Sequence, residues 1–141
     1  NKLAGLTYIN LEEFEKAKKL FGDKVLTLES PLSKNDYFDL LNNVDIAIFN
    51  TDRQIGLGNL FKLIYQKTKI YMNKSCPMFN YFINNGIAIC DYNNIQEKDF
   101  DSFIAPQKND DEKKFNLLFE MYKSEEYKRK LWDNVFGEDA H

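Results

Sequence analysis

The sequence predicts an α/β fold: a parallel sheet with helices on both faces, ending in two helices. Three observations predict it. Short apolar runs with β-branched residues alternate with amphipathic stretches in the order β-α-β-α-β-α-β between Lys24 and Cys90. The connections are short, as crossovers in a parallel sheet require. One strand ends in a glycine-containing loop that opens a helix, Asp45-Ile46-Ala47-Ile48-Phe49-Asn50-Thr51-Asp52-Arg53-Gln54-Ile55-Gly56-Leu57-Gly58-Asn59-Leu60.

Taken in order, Leu3 to Ile9 reads equally as a terminal strand, a loop or the end of an earlier helix. Asn10 with Glu13 forms a capping-box-like pair for a helix from Leu11 to Phe21. Leu11, Phe14, Ala17, Lys18 and Phe21 lie near one face, and Gly22-Asp23 ends the helix. Lys24 to Leu28 follows as a strand, broken by Glu29-Ser30-Pro31. Ser33 and Asp36 start a helix with the stripe Tyr37, Leu40, Leu41 and Val44. Ile46 to Phe49 reads as a buried strand. After the glycine loop, a helix is expected from about Asn59 to Gln66, then a strand from Lys69 to Met72. Pro77 opens a helix to about Asn84 with Phe79, Phe82 and Ile83 inward, and Gly86 closes it. Ile87 to Cys90 is expected as a strand, Asp91 to Lys98 as a polar connection, and Phe100 to Ile104 as a short strand or turn. A helix beginning at Asp110 or Asp111 carries the stripe Phe115, Leu118, Phe119 and Tyr122. Ser124 opens the last helix, with Tyr127, Leu131, Trp132 and Phe136.

Composition narrows the function classes. At 141 residues, 43% hydrophobic and with 12 Phe and 8 Tyr, the chain is one domain with a real core. A net charge of −3 gives no basic field for nucleic acid. The two cysteines, Cys76 and Cys90, lack metal-ligand spacing, and the one histidine is His141. No metal site is expected, and neither a Cys–His pair nor a Ser-His-Asp triad fits. Both cysteines read as small packing residues, and Tyr37, Tyr65 and Tyr81 as core or helix-face packing. No apolar run approaches the roughly 18–20 residues that span a bilayer. The chain opens without Met, and the expectation is a piece of a longer protein.

The glycine loop carries the functional signal. N–H groups of a first helical turn and the helix dipole favour an anion. Gly56 and Gly58 remove Cβ atoms and permit positive φ, and Arg53 offers a forked cation to phosphate oxygens. Plain turn chemistry and a solvated Arg53 are the competing readings. Gly-Lys-Ser/Thr is missing, and Phe61 stands where a third glycine of a dinucleotide fingerprint would be. In parallel sheets ligands bind at the carboxyl ends of strands, at the switch in strand order, which is where this loop is expected.

The runs Phe21-Gly22-Asp23-Lys24-Val25, Tyr37 to Leu41, Asp45 to Asn50, Arg53-Gln54, Gly56-Leu57-Gly58-Asn59 and Lys69-Ile70-Tyr71 resemble glycosyltransferase family 56. These are the TDP-4-acetamido-4,6-dideoxygalactose:lipid II transferases of enterobacterial common antigen synthesis. The resemblance covers roughly residues 10 to 92, and the Arg-Gln-x-Gly-x-Gly loop is its most specific part. It implies a bacterial GT-B enzyme of two Rossmann-like halves, of which this chain is the C-terminal, donor nucleotide-sugar-binding half. The implied reaction is an inverting, metal-independent transfer of a (deoxyamino)sugar to a lipid-linked or cell-envelope glycan acceptor. No cofactor is implied beyond the nucleotide-sugar donor, for which the resemblance points to TDP.

On that reading Arg53, Gln54, Gly56, Leu57, Gly58 and Asn59 hold the diphosphate, with Arg53 stabilising the leaving group. Gln54 and Asn59 read equally as helix caps. Asn50 and Thr51 face the sugar or are turn residues, and Ser30, Pro31 and Leu32 sit where a nucleoside could pack. No residue is a candidate general base, so the chain alone is expected to be inactive. The acceptor reaches the site through the missing N-terminal half. The expected location is the cytoplasm; the resemblance leaves open peripheral association of the full-length protein with the cytoplasmic face of the inner membrane. Two other classes remain open: a complete doubly wound phosphate- or flavin-binding protein, and a receiver-like interaction domain. Asp45 begins its strand instead of ending it, which counts against the last.

Overall fold

In the computed structural model, residues 3–5, 11–27, 32–53, 57–109, 111–126 and 129 are described. The chain divides into two compact units, residues 1–40 and 41–141.

The first unit contains β1 (Leu3–Gly5), α1 (Leu11–Phe21), a 3₁₀ turn (Gly22–Lys24) and β2 (Val25–Thr27). β1 and β2 pair in parallel, Leu3 with Val25 and Gly5 with Thr27. α1 has the expected bounds and stops where Gly22 takes φ +56°, a left-handed value that costs glycine little. Its last apolar residue is not inward, however: Phe21 is exposed, as is Leu20. The next helix, α2 (Lys34–Asn42), starts as the sequence predicts. Ser33 Oγ accepts from the Asp36 amide at 3.2 Å and donates to the Asp36 carboxylate at 2.6 Å.

The second unit is built on β3 (Ile46–Phe49), α3 (Leu57–Tyr65), β4 (Lys69–Met72), α4 (Pro77–Asn84) and β5 (Cys90–Asp91). A 3₁₀ turn (Tyr92–Glu97), α5 (Phe100–Ile104) and α6 (Glu112–Lys123) follow. The sheet is parallel with order β3-β4-β5. Ile46 pairs with Lys69, Phe49 with Met72, and Met72 with Asp91. The fold is therefore mixed α/β with parallel strands, as expected. The order runs without reversal, so the expected switch point is not within these three strands.

β4 is the central strand, and all four of its residues are buried. Side chains alternate across a sheet. Lys69 and Tyr71 meet α5 on one face, where the rings of Tyr71 and Phe103 stack at 5.3 Å. An aromatic cluster joins α3, α4 and α6. Phe61 makes edge contacts with Phe82 at 5.7 Å and Phe119 at 6.0 Å, and stacks on Tyr122 at 4.4 Å. β3 is less covered than predicted: Ala47 is buried, but Ile48 is 47% exposed.

Two helix ends position the strands that follow them. α4 closes with Gly86 at φ +73°, the Gly86 amide donating to Ile83 O and the Ile87 amide to Phe82 O, both at 3.0 Å. α3 closes by the same pair of bonds, Lys67 to Ile64 at 2.9 Å and Thr68 to Leu63 at 3.0 Å. Here the left-handed residue is Lys67, at φ 62°.

Several boundaries depart from expectation. α3 begins at Leu57, so Gly58 and Asn59 are inside its first turn. The strand expected over Ile87 to Cys90 is Cys90–Asp91 alone. Asp91 to Lys98 is largely a 3₁₀ turn, and Phe100 to Ile104 is a helix capped by Asp99, whose carboxylate accepts from the Ser102 amide at 2.7 Å. Ile83 is 39% exposed rather than inward, and Tyr122 is exposed on its outer side. Tyr127, Leu131, Trp132 and Phe136 lie outside the described residues. Among the described residues no helix is long and apolar enough to cross a membrane.

Candidate functional site

The carboxyl edge of β3-β4-β5 gathers three short polar segments. After β3 come Asn50, Thr51, Asp52 and Arg53; after β4, Asn73, Lys74, Ser75 and Cys76; at the end of β5, Asp91, Tyr92 and Asn93. The strand register sets Phe49, Met72 and Asp91 in one row, so the three segments leave the sheet side by side.

The first two segments are bonded to each other. The Asn73 amide donates to Phe49 O at 3.1 Å, which carries the β3–β4 pairing one residue past the strands. Asn73 Nδ2 donates to Asn50 Oδ1 at 3.5 Å, and Asn73 Oδ1 accepts from the Ser75 amide at 3.0 Å. Thr51 Oγ1 accepts from the Arg53 amide at 3.1 Å, so Thr51 shapes the loop through its side chain. The Cys76 thiol donates to Arg53 O at 3.5 Å. Arg53 itself is exposed.

The second cation of the edge is held in place. Lys74 Nζ lies 2.9 Å from Asp91 Oδ2, and Asp91 Oδ1 accepts from the Asn93 amide at 3.0 Å. The hydrogen bond from Lys74, then that from Asn93, holds the Asp91 carboxyl below the usual range. Asp91 thereby caps the 3₁₀ turn and fixes Lys74 at the edge.

Of the residues the sequence singles out, Asn50, Thr51 and Arg53 come together here. Gly58 and Asn59 belong to the first turn of α3, and both are exposed. A Cβ at Gly58 would meet nothing within 4 Å, and its φ is not left-handed, so it does not serve the positive-φ turn expected of it. Asn59 is the third residue of α3 and does not cap it. Gln54, Gly56, Ser30 and Pro31 lie outside the described residues, as does the Leu57 side chain, and Leu32 belongs to the first unit.

The chain matches no family model, no curated protein and no solved structure.

Sequence reasoning missed Asn73, Lys74, Cys76 and Asp91. Their signal is the polar stretch Asn73-Lys74-Ser75-Cys76 between a strand and a proline-started helix, a second strand end beside the first. A different polar group occupies the other face and edge. Lys69, only 8% exposed, donates to Ser102 O at 2.9 Å and Ala105 O at 2.8 Å, at the C-terminus of α5. Beside it, Tyr71 donates to Phe103 O at 3.1 Å, and the Cys90 thiol donates to Gln107 Oε1 at 2.6 Å. Burial raises the Cys90 thiol, outweighing Lys69 and Lys98, and raises the Tyr71 phenol with help from Cys90. Both stay protonated at neutral pH, as packing groups and not nucleophiles. A cleft of about 70 Å³ lies at the amino edge, bounded by Lys67, Thr68, Ile87, Lys108, Asn109 and Glu112. It is remote in topology from Arg53, at the ends where the strands enter the sheet.

Proposed function

We propose that this chain is the nucleotide-sugar-binding part of a bacterial glycosyltransferase, with the donor diphosphate held at Arg53 and the start of α3. One observation carries the reading: Asn50 and Arg53 follow the carboxyl end of a parallel strand, and the next helix, which begins at Leu57, holds Gly58 in its first turn with open space where a side chain would be. Backbone N–H groups there have no intrahelical acceptors and attract an anion. The exposed Arg53, in the loop that precedes this helix, is the cation available to compensate that charge. A departing diphosphate is stabilised by such fixed donors without a divalent ion.

The sugar class, a deoxyamino sugar carried on TDP, rests on the family resemblance alone, of which the Arg-Gln-x-Gly-x-Gly loop is the most specific part. So do the lipid-linked or cell-envelope acceptor, the inverting course, and a working place at the cytoplasmic face of the inner membrane. The acceptor and the general base belong to a second half, and the chain by itself transfers no sugar.

Calorimetric titration with TDP, UDP, GDP and FMN, on the native chain and on Arg53→Ala, tests the reading. Saturable binding of a nucleoside diphosphate, weakened about tenfold or more by the substitution, is the expected result, since a charged hydrogen bond is worth about 1.5–3 kcal/mol. Binding of FMN alone, or diphosphate binding that ignores Arg53→Ala, overturns it.

A further inference from the structure

We infer that Asn73 and Cys76, which follow a different strand, are positioning residues for Arg53: they hold the loop after β3 so that the guanidinium is presented to an anionic ligand. The inference rests on the proposed diphosphate reading of the same edge.

Within the loop from Asn50 to Arg53, the Arg53 amide bonds to Thr51 Oγ1. Among the described residues, the turn between β4 and α4 supplies further anchors. Asn73 holds its start, by its side-chain amide to Asn50 Oδ1 and by its backbone amide to the O of Phe49, the strand residue just before it. Cys76 reaches the far end, donating its thiol to Arg53 O. The turn that carries both is itself closed, because Cys76 N donates to Asn73 O at 2.9 Å and Ser75 N to Asn73 Oδ1 at 3.0 Å.

Two features make this more than incidental packing. Cys76 is 1% exposed and stands at the N-cap of α4, yet its side chain makes no capping bond to the helix and turns to Arg53 instead. A residue chosen for the cap would be Ser, Thr, Asp or Asn. In addition, the two anchors bracket the loop, one at each end. A bracketed loop loses less freedom when a ligand engages its arginine, so the anchors act on affinity through preorganisation.

The test is a double-mutant cycle on the 141-residue chain, reading the dissociation constant for the best-bound nucleoside diphosphate. Cys76→Ala and Asn73→Ala are each expected to weaken binding about three- to tenfold in the native background. In the Arg53→Ala background neither is expected to weaken it further, because what they position is gone. In the unliganded chain, Cys76→Ala is expected to shift the amide and guanidinium resonances of Arg53, and those of the amino edge near Lys67 and Asn109 far less.

Equal weakening in both backgrounds would assign the pair a merely structural role and overturn the inference. Unchanged affinity in Cys76→Ala and Asn73→Ala, with Arg53→Ala still weakened, would overturn it while leaving the diphosphate reading intact. A native chain that binds none of the diphosphates overturns that reading first. The resonances of Arg53 then decide the anchoring separately: unmoved, they overturn it too.

Discussion

The Nζ of Lys69 donates to the carbonyl oxygen of Ala105 at 2.8 Å, tying the first residue of the central strand to the end of α5. It also donates to Ser102 O and lies over the Tyr71 ring, 5.3 Å from its centroid. A buried ammonium suits this place because helix C-termini present unpaired carbonyls and partial negative charge. Lys69→Met keeps the stem and removes the donor, leaving two carbonyls without their partner. Chemical denaturation should show a loss of about 1–3 kcal/mol. Amide exchange should accelerate most in Phe100–Ile104.

The two left-handed helix ends make opposite predictions. At Gly86 an added Cβ would lie 2.9 Å from Asp111 Cβ and 3.1 Å from Asp111 O. Gly86→Ala should therefore cost about 2–4 kcal/mol, from left-handed strain together with overpacking. Lys67 already bears that strain at φ 62°. Lys67→Gly should stabilise the protein by up to about 1 kcal/mol. Its exposed ion pair to Glu112, at 3.9 Å, offsets little of that. Thermal melts of the two variants should move in opposite directions.

Asp91 sets an acid-side dependence. Its carboxyl is held below the usual range by Lys74 and the Asn93 amide, so the folded state favours the ionised form. That stability is fully present above the unfolded value of about 3.9 and is lost as pH falls through the lower folded value. Asp91→Asn should lower stability at neutral pH and flatten its decline below about pH 4, read by denaturant midpoints across the acid range. Asp99, held low chiefly by the Ser102 amide, acts over the same window and leaves a residual slope.

Phe61 is the hub of the aromatic cluster, touching Phe82, Phe119 and Tyr122. Phe61→Ala should cost about 3–5 kcal/mol. Leu117→Ala, at an exposed position of α6, should cost far less and serves as the comparison in the same denaturation series.

Where sequence signals agreed, the elements were legible. α4 was read with its observed bounds because Pro77 marks its start and Gly86 its end. α2 was legible from Ser33 and Asp36. The run Ile87 to Cys90 misled because its apolarity reflects burial and not pairing. The Ile87 amide is spent on closing α4, and the Ala88 amide donates to Asn109 Oδ1 at 3.1 Å. Neither is left for a ladder, and pairing begins at Cys90. α5 was missed because five residues carry too little period to show a helix, although Asp99 and Ser102 gave a cap. Gly58 made the start of α3 resemble a loop, since glycine is a poor helix former. At the site, Asn50 and Arg53 could be placed by strand–helix alternation. Asn73 and Cys76 could not, because their partners follow the neighbouring strand and no local spacing encodes that contact.

The unbroken order β3-β4-β5 bears on the rate of folding as well as on its product. Each strand finds its partner one helix away along the chain, as Ile46 does with Lys69 and Tyr71 with Cys90. A one-helix crossover is near the shortest that a parallel pair allows, which keeps the loop-closure cost of each pairing small for a parallel sheet. β4 takes part in both pairings, which makes it the expected nucleus of this unit. A methylene removed there, as in Ile70→Val, should slow refolding more than it hastens unfolding.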